Sequence, residues 1–466
     1  MSSSLQIGLH KKVPPKPPAT GSPVVGGSQT RPLWFDGRFL ASRDLEREQI
    51  YFLRRQAEMG RAGGFGVVHG LMVGQGATSG QSPNPESIVI RAGNGITPSG
   101  ALVMIQTDLT IQLSDLPDEE ALNEQFGLSA TPQQPARTRT GLYVIALRPV
   151  QFTANPIGNY PASIQSPRVA HDGDIVEATA VSLVPYPNPV NNYDASVQQA
   201  AVARQIFVLG DTGTLSDALL PLAMVSIDRD EIQWIDPYLV RRDSGPLYSG
   251  VRLGLSDPTV QQAFLMQYDA QLQSVVAARK NGNFSATDYF QALPPAGRFP
   301  LDAIDTGRFS QIFFPQQMNV GLSVIPADEL PALIEESMSL PPIDLTLAAD
   351  AYANLSAFVL FPVPRNNFAA LAGSLPQISL NPTLPQVPLN RRPFQLAQLF
   401  QSRLKLAPPA PGSNGAWGNA LQGQAYGFYV LRRSEPVFVD FTTPAPVTTT
   451  TSAPTTTPPP TTTAKL

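Results

Sequence analysis

Apolar and polar residues alternate over short stretches in the first half of the chain, with glycine, proline and serine between them. A repeat of two residues places neighbouring side chains on opposite faces of a strand, so each stretch predicts a β-strand with one buried face. The glycine-rich segment 93–100, GNGITPSG, predicts a turn. The predicted strands cover residues 67–73, 87–91, 101–105, 110–113, 142–147, 175–183, 205–209 and 222–227.

One early stretch, residues 44–61, instead carries apolar residues at helical spacing. Ser42 is placed to cap the start of this helix, and Asp44 suits its positive end. Gly63 and Gly64 allow the left-handed backbone with which helices often end. The apolar stripe of the predicted helix consists of Leu45, Phe52, Leu53 and Met59.

The pattern becomes mixed after about residue 245. A helix is predicted to begin at Asp257-Pro258, since a capping residue followed by proline at the first helical position favours a helix start. Further helices are predicted at 327–339 and 393–404, and further strands at 312–314, 356–361 and 427–432.

These elements predict an α+β, β-rich protein. Residues 31–245 form a β-sandwich or open-barrel docking domain with one amphipathic helix, and 246–440 form a second, mixed α+β domain. Residues 1–30 are rich in proline, glycine, serine and lysine and predict a flexible arm. The threonine- and proline-rich residues 441–466 predict a disordered tail that is a spacer, a glycan acceptor or an inert end.

Composition narrows the function classes. The net charge of −4, without basic runs, disfavours a nucleic-acid surface, which needs clustered Lys and Arg. The chain has no cysteine, so disulfides and thiolate chemistry are excluded. We see neither an apolar run long enough to cross a bilayer nor a signal peptide, so we expect assembly in the cytoplasm, with release as part of a particle left open.

No catalytic or cofactor motif stands out. Gly64 and Gly66 superficially resemble a dinucleotide fingerprint, but they follow a helix and enter a strand, which is the reverse of the order that such a site needs. His69 is predicted to be a structural residue of a strand. Asp172 and Asp174 could hold a hard cation, but a calcium site needs six to eight oxygen ligands, so we expect these two carboxylates to belong to an ordinary turn. We therefore expect no enzyme, no cofactor and no metal.

Aromatic residues supply the candidate interface. Trp34, Phe35 and Phe39 surround a predicted turn just before the first helix, where they either cover the helix start or anchor a partner. Phe299 lies in ALPPAGRFP, which is predicted to be a rigid and exposed loop that packs on its own domain or docks.

Residues 33–73 also resemble a known family. The W-x-D-G-x-F-L turn, the helix rich in Gln and aromatics, the G-F-G break and the strand are similar to baseplate-associated proteins of phage-tail-like contractile injection systems. The same order resembles the N-terminal shoulder domain of the type VI secretion baseplate adaptor and of siphophage receptor-binding proteins. The resemblance implies a domain that clamps onto a particle. The second half of the chain does not match the adaptor.

The function expected from this resemblance is structural. It predicts a non-enzymatic component at the baseplate, cage or fibre-adaptor level, with other baseplate or spike-proximal proteins as partners and homo-oligomers in the assembly. One alternative is a receptor- or glycan-binding module tethered by the Thr/Pro tail, using Trp234, Tyr186, Tyr193 or Tyr426. Another is a hydrolase with two carboxylates roughly 5–10 Å apart.

Overall fold

The computed structural model describes residues 31–77, 83–116, 139–158, 170–190, 194–213, 215–244, 258–352, 355–375, 378–380 and 413–433. The predicted arm at 1–30, the helix at 393–404 and the tail at 441–466 lie outside these residues. So does the predicted domain boundary at 245/246, which stays a prediction.

The α-helices and strands confirm the predicted α+β, β-rich class. The helices are α1 (Ser42–Gly63), α2 (Ala195–Phe207), α3 (Pro258–Arg279), α4 (Leu330–Met338), α5 (Arg365–Ser374) and α6 (Ser413–Leu421). The strands of the first half are β1 (Gly66–Gly70), β2 (Val73–Ala77), β3 (Pro83–Ile90), β4 (Gly93–Ile96), β5 (Leu102–Ile105), β6 (Leu109–Gln112), β7 (Gly141–Gly158), β8 (Ala170–Tyr186), β9 (Leu220–Asp228) and β10 (Glu231–Asp236). Those of the second half are β11 (Ala292–Leu293), β12 (Ala296–Pro300), β13 (Ile304–Asp305), β14 (Ser310–Gln311), β15 (Asn319–Pro326), β16 (Ile343–Asp344), β17 (Leu355–Val363), β18 (Ile378–Ser379) and β19 (Tyr426–Arg433).

Contacts divide the chain into two compact units. The first consists of Met1–Ala278, Tyr289–Pro294 and Pro341–Asp344, and the second of Arg279–Asp288, Pro295–Leu340 and Leu345–Leu466. Short segments after α3 therefore return to the first unit, where β11 pairs with β16.

Three antiparallel sheets of the first unit share one hydrophobic core. Their strand orders are β1-β4-β5, β2-β3-β6 and β10-β9-β7-β8. Leu71, Ile90, Val103, Ile145 and Val225 come from different sheets or their connections and are all buried in this core. Sheets that face one another across shared apolar side chains agree with the predicted sandwich-type domain.

The four-stranded sheet is buried on its other face as well. Val144 and Ala146 alternate with the core residues of β7 and pack with α2 and α3, where Phe207 stacks on Phe264 at 4.4 Å. A strand buried on both faces explains the nearly continuous apolar run at 142–147. The β-rich unit thus carries more helix than the single helix predicted.

One strand prediction and one turn prediction in this unit fail for identifiable reasons. Residues 205–207 are the last residues of α2, and residues 208–209 follow it as a turn, so no strand forms there. Asp194 caps the start of this helix by accepting hydrogen bonds from the backbone N–H groups of Ser196 and Val197. Residues 93–95 form β4 and not a turn. Glycine is needed there because a Cβ on Gly93 would lie 2.2 Å from the carbonyl oxygen of His69 on the paired strand.

The β7–β8 ribbon is longer than the sequence predicted. β8 begins at Ala170, so Asp172 and Asp174 lie in a strand paired with β7 and not in a turn. The side chains of Thr153 and Asn155 donate hydrogen bonds to these two carboxylates across the ribbon. Neutral cross-strand partners explain how the acidic residues fit into a ladder.

The second unit contains a five-stranded sheet of order β12-β19-β17-β15-β18, in which β15 and β17 are parallel. The helix predicted at 327–339 and the strands at 356–361 and 427–432 appear as α4, β17 and β19. The strand predicted at 312–314 is wrong. Phe313 and Phe314 follow β14 in a bend, and their rings pack with Phe299 and Tyr429 in the core.

Candidate docking surface

The candidate docking surface begins at a tight turn before α1. Asp36 and Gly37 form the turn, with Gly37 at φ +86° and the N–H of Arg38 bonded to the carbonyl of Phe35 at 3.2 Å. A φ in the left-handed region favours glycine, since it has no Cβ to clash. This geometry places Trp34 and Phe39 on either side of the turn.

Arg38 holds the turn against the helix. Its guanidinium lies 5.1 Å from the centre of the Trp34 ring and donates to the carbonyl of Leu33 at 2.6 Å. It also forms an ion pair with Asp44 at 2.7 Å, and Asp44 is buried in the first turn of α1. Reading the sequence identified Asp44 as a helix-start residue and did not identify Arg38. The R-x5-D spacing is the one signal that could have suggested the pair.

The aromatic residues at this turn face solvent. Trp34 is 42% exposed, Phe35 65% and Phe39 94%. The alternative of a hydrophobic staple would require Leu40, which precedes the cap, to pack on Leu45, and both side chains are exposed. These exposures give the staple no support. Whether these aromatics bind a partner stays a prediction.

The apolar stripe of α1 is exposed too. Asp44 is the one residue of this helix that is buried, whereas Leu45, Phe52, Leu53 and Met59 are all exposed. The helix also begins differently from the prediction: Ala41 occupies the cap position and makes no side-chain bond, and Ser42 is the first helical residue. We call residues 33–59 the apolar segment.

The end of α1 is fixed by glycines, as predicted. Gly64 has φ +94° and donates its N–H to the carbonyl of Arg61, and β1 starts two residues later at Gly66. Helix, glycine and strand therefore follow in the order that excludes a pyrophosphate at a helix N-terminus. Gly60 and Gly100 bring the last turns of α1 close to the body of the unit, since a Cβ on Gly60 would lie 2.6 Å from the carbonyl oxygen of Gly100.

Phe299 does not belong to this surface. The sequence predicts a rigid, exposed loop that packs on its own domain or docks, but residues 296–300 form β12, and Phe299 is fully buried between Phe313 and Phe314 at ring separations of 5.2 and 5.7 Å. Proline and glycine around it shape a strand edge paired with β19. Phe299 is a core residue of the second unit.

The chemically suggestive residues remain dispersed among the described residues. His69 lies in β1 with an exposed side chain, and no group of three or more His, Asp or Glu in the described ranges could hold a metal ion. The carboxylates at 118–120 lie outside those ranges. No helix in the described part of the chain is long and apolar enough to span a membrane.

Two cavities of the first unit lie away from the apolar segment. One, of about 400 Å³, is lined by Tyr186 and Asp211 among others, and a second of about 90 Å³ lies beside Tyr238. Burial raises the pKa of Tyr186 to about 12, and the hydrogen bond from Gln205 lowers the pKa of Asp211. Neither shift moves a group toward the neutral range in which general acid–base catalysis works best.

Asp236 is the one described carboxyl whose pKa rises toward neutrality. Burial raises the pKa of Asp236 to about 6, while hydrogen bonds from the N–H of Tyr238 at 2.9 Å and from Gln267 at 3.3 Å oppose the shift. Gln267 donates onward to Gln271 at 2.8 Å. Asp236 lines neither cavity, so we interpret this network as structural.

Comparison with known proteins yields weak structural neighbours. No protein-family model matches the chain, and no curated protein does. Among solved structures, the type VI secretion system TssK-TssF-TssG baseplate subcomplex matches with 16% sequence identity and a TM-score of 0.22. The match covers 54% of this chain and 71% of that chain.

Two further structures match at the same level. A crystal structure of TssK gives 12% identity, 54% of this chain, 49% of that chain and a TM-score of 0.21. The baseplate complex from the type VI secretion system gives 13% identity, 68% and 83% coverage and a TM-score of 0.23. TM-scores of this size do not establish a common fold.

Proposed function

We propose that this chain is a non-enzymatic assembly protein of a contractile injection particle, at the baseplate, cage or fibre-adaptor level. The observation that carries the proposal is the apolar segment, residues 33–59, whose aromatic and aliphatic side chains are exposed in succession. Contiguous exposed apolar surface marks interaction sites, because leaving it in water is unfavourable.

The type of particle comes from the resemblance of residues 33–73 to baseplate-associated proteins. The resemblance rests on a turn, a helix, a glycine break and a strand in that order. Those elements are the Asp36-Gly37 turn, α1, Gly64 and β1. Assembly in the cytoplasm and release within a particle belong to the same proposal.

The mechanism is burial of the apolar segment against neighbouring proteins. The sheets of the first unit hold the segment in place through β1, and Arg38 orders its first turn. Trp34 is of a residue type that often dominates binding energy at interfaces. Stable interfaces bury about 1,600 Å² in total, so other parts of the chain contribute as well. The proposed partners are other baseplate or spike-proximal proteins and further copies of this chain.

The test is co-sedimentation of the full chain with particles from cells that produce them. The variant Trp34→Ala/Phe35→Ala/Phe39→Ala should leave the particle fraction, whereas the wild type should stay. A matched control replaces three exposed apolar residues elsewhere, Leu209→Ala/Ile312→Ala/Leu347→Ala, and should stay with the particle. A wild-type chain that never sediments with particles and stays monomeric at high concentration would overturn the proposal.

The glycan-binding alternative gains no support from the aromatic residues that it invoked. Trp234 and Tyr186 are buried, Tyr426 is half-buried, and Tyr193 lies outside the described residues. Trp234 donates its indole N–H to Gln198 at 3.1 Å within the core. A sugar platform would need such rings open to solvent.

A further inference from the structure

Helix α1 is long and has few contacts with its own unit. It has 22 residues, of which Asp44 alone is buried, and at 1.5 Å per residue it is about 33 Å long. Its described attachments are the Arg38–Asp44 ion pair at one end and the approach of Gly60 to Gly100 at the other. Helices in proteins gain most of their stability by packing an amphipathic face, so α1 has a face that still needs a partner.

The exposed residues of that face follow the spacing of a coiled-coil seam. Along this stripe of α1, successive residues are four, three, four, three and four positions apart. This is the heptad alternation that keeps one stripe of a helix facing a second helix. Leu45, Phe52 and Met59 are 44%, 61% and 74% exposed, and Gln49 and Gln56 are exposed between them. The whole stripe is Leu45, Gln49, Phe52, Gln56, Met59 and Gly63. This spacing fits a helix as the partner.

The charged residues beside the stripe indicate which helix could be the partner. Glu48 and Arg55 each precede a glutamine of the stripe by one residue, so both lie on the same flank. Among the described residues neither forms an ion pair, unlike Arg61, which pairs with Glu58 at 2.5 Å. An antiparallel copy of α1, related by a twofold axis between Gln49 and Phe52, would face each Glu48 with the other copy's Arg55.

Other arrangements of two copies match these charges less well. In a parallel pair Glu48 would face Leu53 and Arg55 would face Gly60, which leaves both charges without a counterpart. An antiparallel pair in which one helix is shifted by a full heptad along the other would bring Arg55 against Arg55. The seam alone allows several registers, and the charges favour one of them.

We propose that α1 pairs in antiparallel orientation with α1 of a second copy of this chain, through the Leu45–Gln56 part of the stripe and two Glu48–Arg55 ion pairs. This inference rests on the homo-oligomer part of the proposed function and not on the identity of the particle. It is tested on the purified full chain, so its failure is separate from a failure to sediment with particles.

The first test reverses the charges. In analytical ultracentrifugation the wild type should dimerise, and Glu48→Arg alone or Arg55→Glu alone should weaken dimerisation by at least about tenfold, because like charges then face each other twice. An equimolar mixture of the two variants should recover the affinity, since each introduced arginine would then meet an introduced glutamate and the unchanged pair would stay matched. Circular dichroism of each variant checks that the fold persists.

The second test uses the absence of cysteine from the chain. In the proposed register Leu45 of one copy faces Gln56 of the other. The two copies of Leu45 lie eleven residues, or about 16 Å, apart along the axis, and so do the two copies of Gln56. Chains carrying Leu45→Cys or Gln56→Cys should therefore form disulfide-linked dimers on oxidation only when mixed. Arg47→Cys, on the opposite side of the helix, should not link to either.

Three results would overturn the inference. They are a wild type that stays monomeric at high concentration, a dimer whose affinity ignores both charge reversals, and efficient linkage of Leu45→Cys to itself. The last result would indicate a parallel pair. Normal dimerisation of both single charge variants, with no change on mixing, would place the contact on another surface.

Discussion

The guanidinium of Arg38 donates to Oδ1 of Asp44 across 2.7 Å, and this ion pair joins the Asp36-Gly37 turn to the first turn of α1. Asp44 is nearly buried while Arg38 keeps about a fifth of its side chain in solvent. The carboxylate also lies at the helix N-terminus, where negative charge is favourable. This pair therefore ties the turn that carries the aromatic residues to the start of α1.

Removing Arg38 should loosen the turn. Arg38→Ala leaves the nearly buried Asp44 carboxylate without its closest cation, and we expect a local cost of about 1–3 kcal/mol. Hydrogen exchange of the amides in residues 33–45 should become faster. Arg47→Ala is the control, since Arg47 is half exposed and lies 4.0 Å from the same carboxylate. Equal exchange in both variants would contradict this role of Arg38.

The contact between Gly60 and Gly100 should tolerate no side chain. A Cβ on Gly100 would lie 2.0 Å from the carbonyl oxygen of Ala57, and its φ of +90° is unfavourable for any other residue. We expect Gly100→Ala to lower the free energy of unfolding by about 1–3 kcal/mol. Gly63→Ala meets no atom within 4 Å and should be neutral or stabilising. Denaturant unfolding of both variants measures the difference.

Asp236 should make stability depend on pH. Its pKa is raised by burial to about 6 from an ordinary value of 3.8, so the unfolded chain gives up this proton more readily than the folded one. The protonated Asp236 therefore contributes to the free energy of unfolding. This stabilisation is fully present below pH 3.8, is lost as pH rises through about 6, and amounts to about 3 kcal/mol by linkage.

Asp236→Asn should remove that dependence. The amide keeps an oxygen that can accept from the N–H of Tyr238, and it carries no charge to bury at neutral pH. Urea unfolding at pH 4 and pH 8 should show a smaller loss of stability in this variant than in wild type. Glu231→Gln, exposed on the same strand, serves as control. An unchanged pH profile in Asp236→Asn would mean that another group causes it.

Phe299 and Phe39 should respond in opposite ways to truncation. Phe299 is fully buried among aromatic rings, so Phe299→Ala should cost about 3–5 kcal/mol through lost burial and a cavity. Phe39 is 94% exposed, and Phe39→Ala should leave the unfolding midpoint within the error of measurement. A destabilised Phe39→Ala chain would show that this ring packs on its own domain.

Sequence patterns predicted best the elements whose local signals agree with their burial. Strand 142–147 carries an unbroken apolar run because β7 is covered on both faces, and the helix predicted from Asp257-Pro258 has proline at its first position, as α3 does. The helix from 44 to 61 is predicted from its apolar spacing, its acidic start and its terminal glycines, although Ser42 does not cap it and its apolar stripe does not enter a core.

The failures arose where tertiary contacts override local signals. The glycines at 93–95 indicate a turn, yet they form a strand because neighbouring backbones approach too closely for a Cβ. Proline and glycine around Phe299 indicate an exposed loop, whereas pairing of β12 with β19 places the ring in the core. Among the candidate interface residues, the sequence could identify aromatic side chains but not which of them the fold buries.

The most direct test of the central claim is photo-crosslinking from position 39 within the assembled particle. A benzoylphenylalanine at Phe39 should link to another protein of the particle or to a second copy of the chain, because this ring is 94% exposed and adjoins the proposed interface. The same probe at Leu347, also exposed but outside the apolar segment, should give markedly less of that product. Equal yields at both positions, or no linkage from position 39, would contradict the account.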